Sequence, residues 1–193
     1  MSIVYITRRI PHAGIALLDN HDLRIGESDM PPTREEIMRQ IADAEGIVTL
    51  VTDTIDGDIM DAAPRLKVIS NMAVGYDNID IDAATRRGIP VGNTPGVLTE
   101  TTADLAFALM LSAARRIVEG ERYVQAGEWR TWMPDLLLGQ DIHGATLGIV
   151  GFGRIGQAVA RRARGFNMQV LFHGGSDDDA AQQIGAEQVG LDD

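Results

Sequence analysis

The sequence predicts an α/β protein with two domains, each built around a parallel β-sheet. Strand-like and helix-like segments alternate over about the first ninety residues, which is typical of a parallel sheet with crossover helices. A stretch rich in glycine and proline, residues 92–96, then interrupts the alternation. Residues 146–158 resume it with a short apolar strand, three closely spaced glycines and the start of a helix. We therefore expect domains at residues 1–98 and 99–193, with the boundary near Leu98.

Four pairs of one strand and one helix are expected in the first domain, as a parallel sheet with helices on both faces. The predicted strands are Ile3–Ile6, Gly46–Val51, Leu66–Ser70 and Ile89–Val91. The predicted helices are Pro11–Leu18, Thr33–Ile41, Ile55–Ala62 and Asp82–Arg87. The second of these helices opens on a capping box, Thr33 to Glu36, in which each side chain can satisfy a backbone N–H of the first turn.

The second domain begins with one long predicted helix, about Thr99 to Gly120, and continues through an irregular segment, residues 120–144. Both tryptophans of the chain, Trp129 and Trp132, lie in that segment. The segment could be an arm packed on its own domain, or a surface that buries its aromatic side chains against a second subunit. Because tryptophan is enriched in interface cores, we favour the second interpretation, which predicts a homodimer of the full-length protein.

The glycine-rich run favours binding of a dinucleotide of the nicotinamide type. Gly151 permits a tight turn from strand to helix, Gly153 allows close approach of a pyrophosphate, and Gly156 allows close packing of helix on strand. The amides of Arg154 and Ile155 lie at the predicted helix N-terminus, where unsatisfied N–H groups and the helix dipole attract an anion. An ordinary turn is the alternative. The dinucleotide interpretation is preferred because a second apolar strand, 168–172, follows in the required order.

Composition excludes several classes of partner. The net charge is −11, with nineteen aspartates against a single lysine, so we expect neither nucleic acid nor an anionic membrane to bind. No apolar run approaches the roughly 18 to 20 residues that span a bilayer, and the N-terminus lacks the layout of a signal peptide, so we expect a soluble cytoplasmic protein. With no cysteine and four histidines without ligand-like spacing, no metal site is expected.

Four strings of residues together resemble the D-isomer-specific 2-hydroxyacid dehydrogenase family, and especially its glyoxylate/hydroxypyruvate reductase branch. They are residues 71–80 (NMAVGYDNID), 88–96 (GIPVGNTPG), 101–106 (TTADLA) and 151–156 (GFGRIG), and they occur in family order. The resemblance implies a flavodoxin-like substrate domain, a Rossmann dinucleotide-binding domain and a cleft between them for a small 2-oxo acid. The implied activity is reduction of an acid such as glyoxylate or hydroxypyruvate with NAD(P)H.

The resemblance also implies roles for single residues. Val74 and Gly75 correspond to a turn whose backbone N–H groups hold the substrate carboxylate. Thr102 corresponds to a cofactor-binding threonine, with a purely local role at the helix N-terminus as the alternative. His173 lies at the end of the second strand of the dinucleotide-binding domain, where the adenosine ribose is expected.

One departure from the family pattern concerns the cofactor. Where the family carries an aspartate for NAD, or serine and arginine for NADP, this chain has Gly174. Absence of the acid favours NADP, whereas the acidic run Asp177–Asp179 argues against it, so both cofactors stay open.

The other departure concerns catalysis. The family's arginine, glutamate and histidine come from segments downstream of the glycine-rich run, and none of those segments is present among the 193 residues. We therefore expect an incomplete, N-terminal part of the Rossmann domain, assign no catalytic residue, and expect the chain alone to be inactive. The alternative function is that of a non-catalytic remnant of a dehydrogenase that binds a nucleotide or a partner.

Overall fold

The computed structural model describes residues 1–175 and 178–192, with the side chain of Asp178 excepted. The chain divides into two compact units, Met1–Val97 and Leu98–Asp193. Every strand pair formed by the described residues is parallel, so the predicted α/β fold class is confirmed.

The first unit contains a five-stranded sheet in the order β2-β1-β3-β4-β5. Its strands are β1 (Ile3–Ile6), β2 (Asp22–Ile25), β3 (Gly46–Leu50), β4 (Val68–Met72) and β5 (Val91–Gly92). Its helices are α1 (His12–Ile15), continued by a 3-10 turn at Ala16–Leu18, then α2 (Arg34–Ile41), α3 (Gly57–Asp61) and α4 (Ile81–Arg86).

Two local differences from the prediction have physical causes. The edge strand β2 was not predicted, because its four residues include two charged ones and only a brief apolar alternation, Leu23 and Ile25. Helix α3 begins two residues later than predicted because Asp56 is its cap, with a carboxylate oxygen accepting from the Ile59 amide at 3.0 Å. The predicted cap of α2 is confirmed, since the Thr33 hydroxyl accepts from the Glu36 amide at 3.2 Å.

The two faces of this sheet are covered unequally. Tyr5, Ile47 and Ile69 alternate onto one face and are buried against α2, α3 and α4. The side chains on the opposite face of the sheet, among them Val48 and Val68, line an apolar groove of about 710 Å³ beside α1. Helices on both faces were predicted; within the described residues the second face is covered only in part.

The second unit contains a three-stranded sheet in the order β6-β7-β8, with β6 at an edge. Its strands are β6 (Thr146–Val150), β7 (Gln169–His173) and β8 (Ala186–Gln188), and its helices are α5 (Thr99–Ala114), α6 (Ile117–Gln125), α7 (Arg154–Ala163) and α8 (Asp178–Ile184). The core lies between α5, α7 and the sheet, where the rings of Phe152 and Phe172 stack with centroids 4.0 Å apart.

The prediction of a single helix over Thr99–Gly120 is wrong. The helix ends at Ala114, and Arg116 adopts a left-handed backbone with φ of 53° before α6 begins. The carbonyl of Ala114 instead accepts from the Gln140 amide at 2.8 Å, and a side chain at Gly139 would overlap that carbonyl. A tertiary contact therefore ends the helix, at a point where the local sequence carries neither glycine nor proline.

Candidate functional site

The turn after β4, residues 73–76, is called the amide loop here. Three consecutive carbonyls of this loop accept hydrogen bonds from elsewhere in the unit. The Ala73 carbonyl accepts from both the amide (2.8 Å) and the hydroxyl (3.0 Å) of Thr94. The Val74 carbonyl accepts from Asn93 Nδ2 at 2.7 Å, and the Gly75 carbonyl accepts from Asn71 Nδ2 at 3.0 Å.

These bonds fix the direction of the amides. A trans peptide is planar, so the N–H of one residue points opposite to the carbonyl of the residue before it, and no cis peptide occurs among residues 1–175 and 178–192. The bonds to the Ala73 and Val74 carbonyls therefore turn the Val74 and Gly75 N–H groups away from the supporting side chains. Neither N–H donates a hydrogen bond to another described residue. Two adjacent donors are thus left for an anion.

A buried polar network lies beneath the amide loop. Asn71, which is 1% exposed, accepts from the Thr49 hydroxyl at 3.0 Å and donates to the side chain of Asn78 at 3.0 Å. Asn78 Nδ2 donates in turn to the carbonyls of Leu50 (3.2 Å) and Asp53 (2.9 Å). The network therefore joins the loops at the carboxyl ends of two neighbouring strands, β3 and β4.

One negative charge lies close to the amide loop. The carboxylate of Asp77 is exposed, and a side chain at Gly75 would meet it at 3.4 Å. This carboxylate weakens the attraction of the loop for an anion, so backbone dipoles rather than local net charge must provide the binding.

The turn after β6, residues 151–156, is called the phosphate loop here. Gly151 has a φ of 97°, which side chains rarely adopt. A Cβ on Gly156 would overlap the Gly151 carbonyl oxygen and touch Ile149, so only glycine allows α7 to begin this close to the strand. A Cβ on Gly153 would meet no atom within 4 Å, which leaves the space that a phosphate requires.

Helix α7 begins at this loop without a competing cap. Its N-cap, Gly153, provides no side-chain hydrogen bond, and the first turn has no acidic residue. The first amides of a helix have no partner within the helix, so those of Arg154 and Ile155 are available to an anion. Arg154 itself is exposed and adds a positive charge. These residues fit the pyrophosphate of a dinucleotide.

The other two residues predicted to bind the cofactor are less constrained. Thr102 lies in the first turns of α5, but the N-cap is Leu98, and the Thr102 hydroxyl bonds to no other described residue. The alternative of a capping role for Thr102 therefore has no support. His173 ends β7, and its Nδ1 lies 3.1 Å from the Val189 carbonyl. Since a carbonyl only accepts, Nδ1 carries the proton of the neutral ring, which leaves Nε2 as an acceptor.

Some sequence predictions concern features outside these loops. Ser176, Asp177 and the side chain of Asp178 lie outside the described residues, so most of the acidic run near His173 is not placed. Among residues 1–175 and 178–192, no group of three acidic or histidine side chains is arranged to hold a metal ion. No helix in the same part of the chain is long and apolar enough to cross a membrane.

Sequence reasoning missed the side chains that support the amide loop, namely Asn71, Asn78, Asn93 and Thr94. They lie in residues 71–80 and 88–96, two of the strings that carry the family resemblance, but the resemblance implied no role for them. A usable signal existed: amide and hydroxyl side chains cluster just after two neighbouring parallel strands, where buried loops need hydrogen-bond partners.

The chain is similar to known proteins over nearly its whole length. A family model described as D-isomer specific 2-hydroxyacid dehydrogenase, catalytic domain, matches residues 4–189. A glyoxylate reductase of Korarchaeum cryptofilum is 49% identical over 192 residues, which are 98% of this chain and 58% of that protein. A crystal structure of a protein from Thermus thermophilus is 42% identical with a TM-score of 0.89, over 98% of this chain and 60% of that one.

A more distant structure was solved with ligands. It is a D-lactate dehydrogenase of Aquifex aeolicus in complex with NAD and lactic acid, 26% identical with a TM-score of 0.79, over 98% of this chain and 56% of that one. The chain thus spans between 56% and 60% of the length of these three proteins. The family match covers nearly the whole of residues 1–193, and the chain therefore belongs to the D-isomer-specific 2-hydroxyacid dehydrogenase family.

Proposed function

We propose that this chain is the part of an NAD(P)-dependent D-2-hydroxyacid dehydrogenase that holds the substrate carboxylate and the cofactor pyrophosphate. The substrate is a small 2-oxo acid such as glyoxylate or hydroxypyruvate. In this assignment the unit Met1–Val97 is the substrate-binding domain and the unit Leu98–Asp193 is the N-terminal part of the dinucleotide-binding domain. The observation that carries the proposal is the presence, in one chain, of two separate sets of backbone amides that donate no hydrogen bond to another described residue.

The amide loop supports the substrate assignment. A carboxylate accepts two hydrogen bonds readily, and the adjacent N–H groups of Val74 and Gly75 supply two donors at fixed positions. Uncharged dipoles held in place bind an anion without an ion pair, and they need no reorganisation when it arrives. The glyoxylate reductase relative supports a substrate of two or three carbons for this loop.

The phosphate loop supports the cofactor assignment. Gly151, Gly153 and Gly156 leave the space, and the Arg154 and Ile155 amides supply the donors, for a pyrophosphate. When a nicotinamide dinucleotide is bound, it supplies the hydride for C2 of the 2-oxo acid, whose oxygen takes a proton to give the 2-hydroxy acid. We assign His173, at the end of β7, to the adenosine ribose, and Thr102 is kept as a second cofactor contact. NAD is supported by the Aquifex aeolicus complex, and NADP stays open.

A cofactor titration tests this assignment. Trp129 and Trp132 lie in the unit that carries the phosphate loop, so binding of NADH or NADPH is expected to quench their fluorescence by energy transfer to the nicotinamide. Saturable quenching at micromolar to millimolar cofactor supports the proposal, and N-acetyltryptophanamide at the same cofactor concentrations is the control for absorption of light by the cofactor. No saturable response to either dinucleotide would contradict it.

The chain alone is proposed to be catalytically silent. Reduction needs a proton donor that titrates near neutrality, usually a histidine held by a carboxylate. Among the described residues, none of the four histidines is hydrogen-bonded to a carboxylate: His143 lies against Asn167, and His173 against the Val189 carbonyl. Following the loss of NADH absorbance with glyoxylate or hydroxypyruvate checks this. Turnover well above a blank without protein would overturn it.

A homodimer of the full-length protein is also proposed. Apolar side chains along α5, α6 and the segment after them are strongly exposed, including Leu105 (59%), Leu109 (60%), Val124 (61%) and Trp132 (76%). So large an apolar surface favours a subunit contact. Light scattering of the chain and of the variant Trp132→Glu measures the oligomeric state: we expect a dimer for the chain and a monomer for the variant.

A cytoplasmic location stays a prediction.

A further inference from the structure

We infer that Asn93 is a positioning residue of the substrate-carboxylate site, acting through the Val74 carbonyl on the direction of the Gly75 N–H. The inference rests on the proposed role of the amide loop in holding the substrate carboxylate. It adds a residue on a separate segment, after β5, to a site otherwise composed of backbone groups.

Val74 and Gly75 share one peptide plane. The Val74 carbonyl and the Gly75 N–H belong to one rigid trans unit and point in opposite directions. Asn93 Nδ2 donates to that carbonyl at 2.7 Å, which is a short bond for an amide donor. Rotation of the unit would break this bond, so the bond holds the Gly75 N–H on the opposite side.

Each neighbouring peptide unit is held in a different way. The Ala73 carbonyl accepts from two donors of Thr94, one of them the backbone amide, so loss of the hydroxyl leaves the other bond in place. The Gly75 carbonyl is held by Asn71, which is fully buried and also bonded to Thr49 and Asn78. Among the described residues, the central unit has Asn93 as its one hydrogen-bond donor.

Among the described residues, the Asn93 side chain shows no structural role besides this hydrogen bond. Its side chain makes a single hydrogen bond within the described residues, to the Val74 carbonyl, and it is half-buried at the end of a two-residue edge strand. A half-buried side chain on an edge contributes little to a hydrophobic core. Its removal should therefore alter the amide loop more than the fold.

The test measures binding of oxamate, a stable analogue of a 2-oxo acid, to the 193-residue chain by amide NMR. The dissociation constant is read from the shifts of the Val74 and Gly75 amides, at constant ionic strength, up to about 100 mM oxamate because a small anion binds weakly. The variants are Asn93→Ala and Thr94→Val. The second is the matched control, because it removes a side-chain donor to the same loop and leaves a backbone donor in place.

We expect Asn93→Ala to weaken oxamate binding about tenfold, the usual effect of losing one good hydrogen bond to a charged group, and Thr94→Val to weaken it less than about twofold. The midpoint of thermal unfolding is expected to change little in either variant. A residue that only supports the fold would lower that midpoint without changing the affinity of the folded protein for oxamate.

The outcomes separate the inference from the function it rests on. Absence of any shift at Val74 and Gly75 in the unmodified chain would reject the carboxylate role of the loop itself. Binding by the unmodified chain together with equal binding by Asn93→Ala would reject the positioning role alone. If Asn93→Ala does not fold, Asn93→Leu, which keeps the side-chain volume without a donor, is read in the same way.

Discussion

The amide loop and the phosphate loop both present backbone N–H groups to an anion, but they are held in place by different means. The phosphate loop is fixed by backbone geometry: the turn of Gly151 and the close approach of Gly156 occur within six positions, and the Gly151 and Phe152 amides donate to the carbonyls of His173 (2.7 Å) and Gly174 (2.9 Å). The amide loop is fixed by side chains remote in sequence, with Asn93 and Thr94 about twenty residues away from the carbonyls that they hold.

This difference predicts which substitutions should disturb the structure of each loop. A loop held by backbone geometry tolerates changes around it but not changes to its glycines. A loop held by hydrogen bonds tolerates changes within it but depends on distant donors. We expect substitutions in the two loops, and one in the core of the first unit, to differ in their effects, and they follow in decreasing order of magnitude.

The largest effect is expected for Gly156→Ala. The added Cβ would overlap the Gly151 carbonyl oxygen, so α7 must move away from the strand. We expect a loss of about 1–3 kcal/mol in the free energy of unfolding, typical of overpacking, together with loss of NADH binding. Urea denaturation measures the free energy of unfolding, and a fluorescence titration measures the affinity for NADH. Gly165→Ala is the matched control, because a Cβ there meets no atom within 4 Å. Normal cofactor affinity in Gly156→Ala would refute the role given to this glycine.

The next effect is expected for Asn71→Ala. This change leaves the Thr49 hydroxyl and the Gly75 carbonyl without their buried partner, at a cost of about 1–3 kcal/mol in the free energy of unfolding. Binding of oxamate should weaken as well, whereas NADH binding should not. Asn20→Ala, at an exposed asparagine, controls for the residue type. Unchanged stability would mean that the network beneath the amide loop contributes nothing.

A third effect concerns the pH dependence of stability in the first unit. Burial, followed by the nearby carboxylates of Glu36 and Asp53, raises the pKa of the Tyr5 hydroxyl to about 12. The unfolded chain loses this proton near pH 10 and the folded chain does not, so stability present below pH 10 is lost as the pH rises towards 12. Tyr5→Phe should remove part of this alkaline loss. Thermal unfolding between pH 9 and 12 measures it, and an equal pH dependence in both proteins would contradict the prediction.

The smallest effect is expected for Asp77→Asn. Removing the carboxylate beside Gly75 should strengthen oxamate binding by about two- to threefold, and less at high salt, because the charge is exposed and screened. Binding of NADH is the internal control. Weaker oxamate binding in this variant would place the anion elsewhere.

The same contrast explains what the sequence could predict. The phosphate loop, the cap at Thr33 and most strands have recognisable local sequence patterns, and they were predicted close to their observed positions. The role of Val74 and Gly75 was predicted by resemblance, but the donors that hold them were not, because a cluster of amide and hydroxyl side chains does not show which carbonyl each of them holds. The break at Arg116 was missed because the contact of Gln140 with Ala114 determines it.

The most direct test is amide NMR of the unmodified chain with oxamate and NADH added separately. We expect two distinct responses. Oxamate should shift the amide resonances of Val74 and Gly75, and NADH should shift those of Gly153, Arg154 and Ile155. Shifts from both ligands at one loop only, or from neither ligand at either loop, would contradict the claim that this chain carries two independent anion-binding sets of backbone amides.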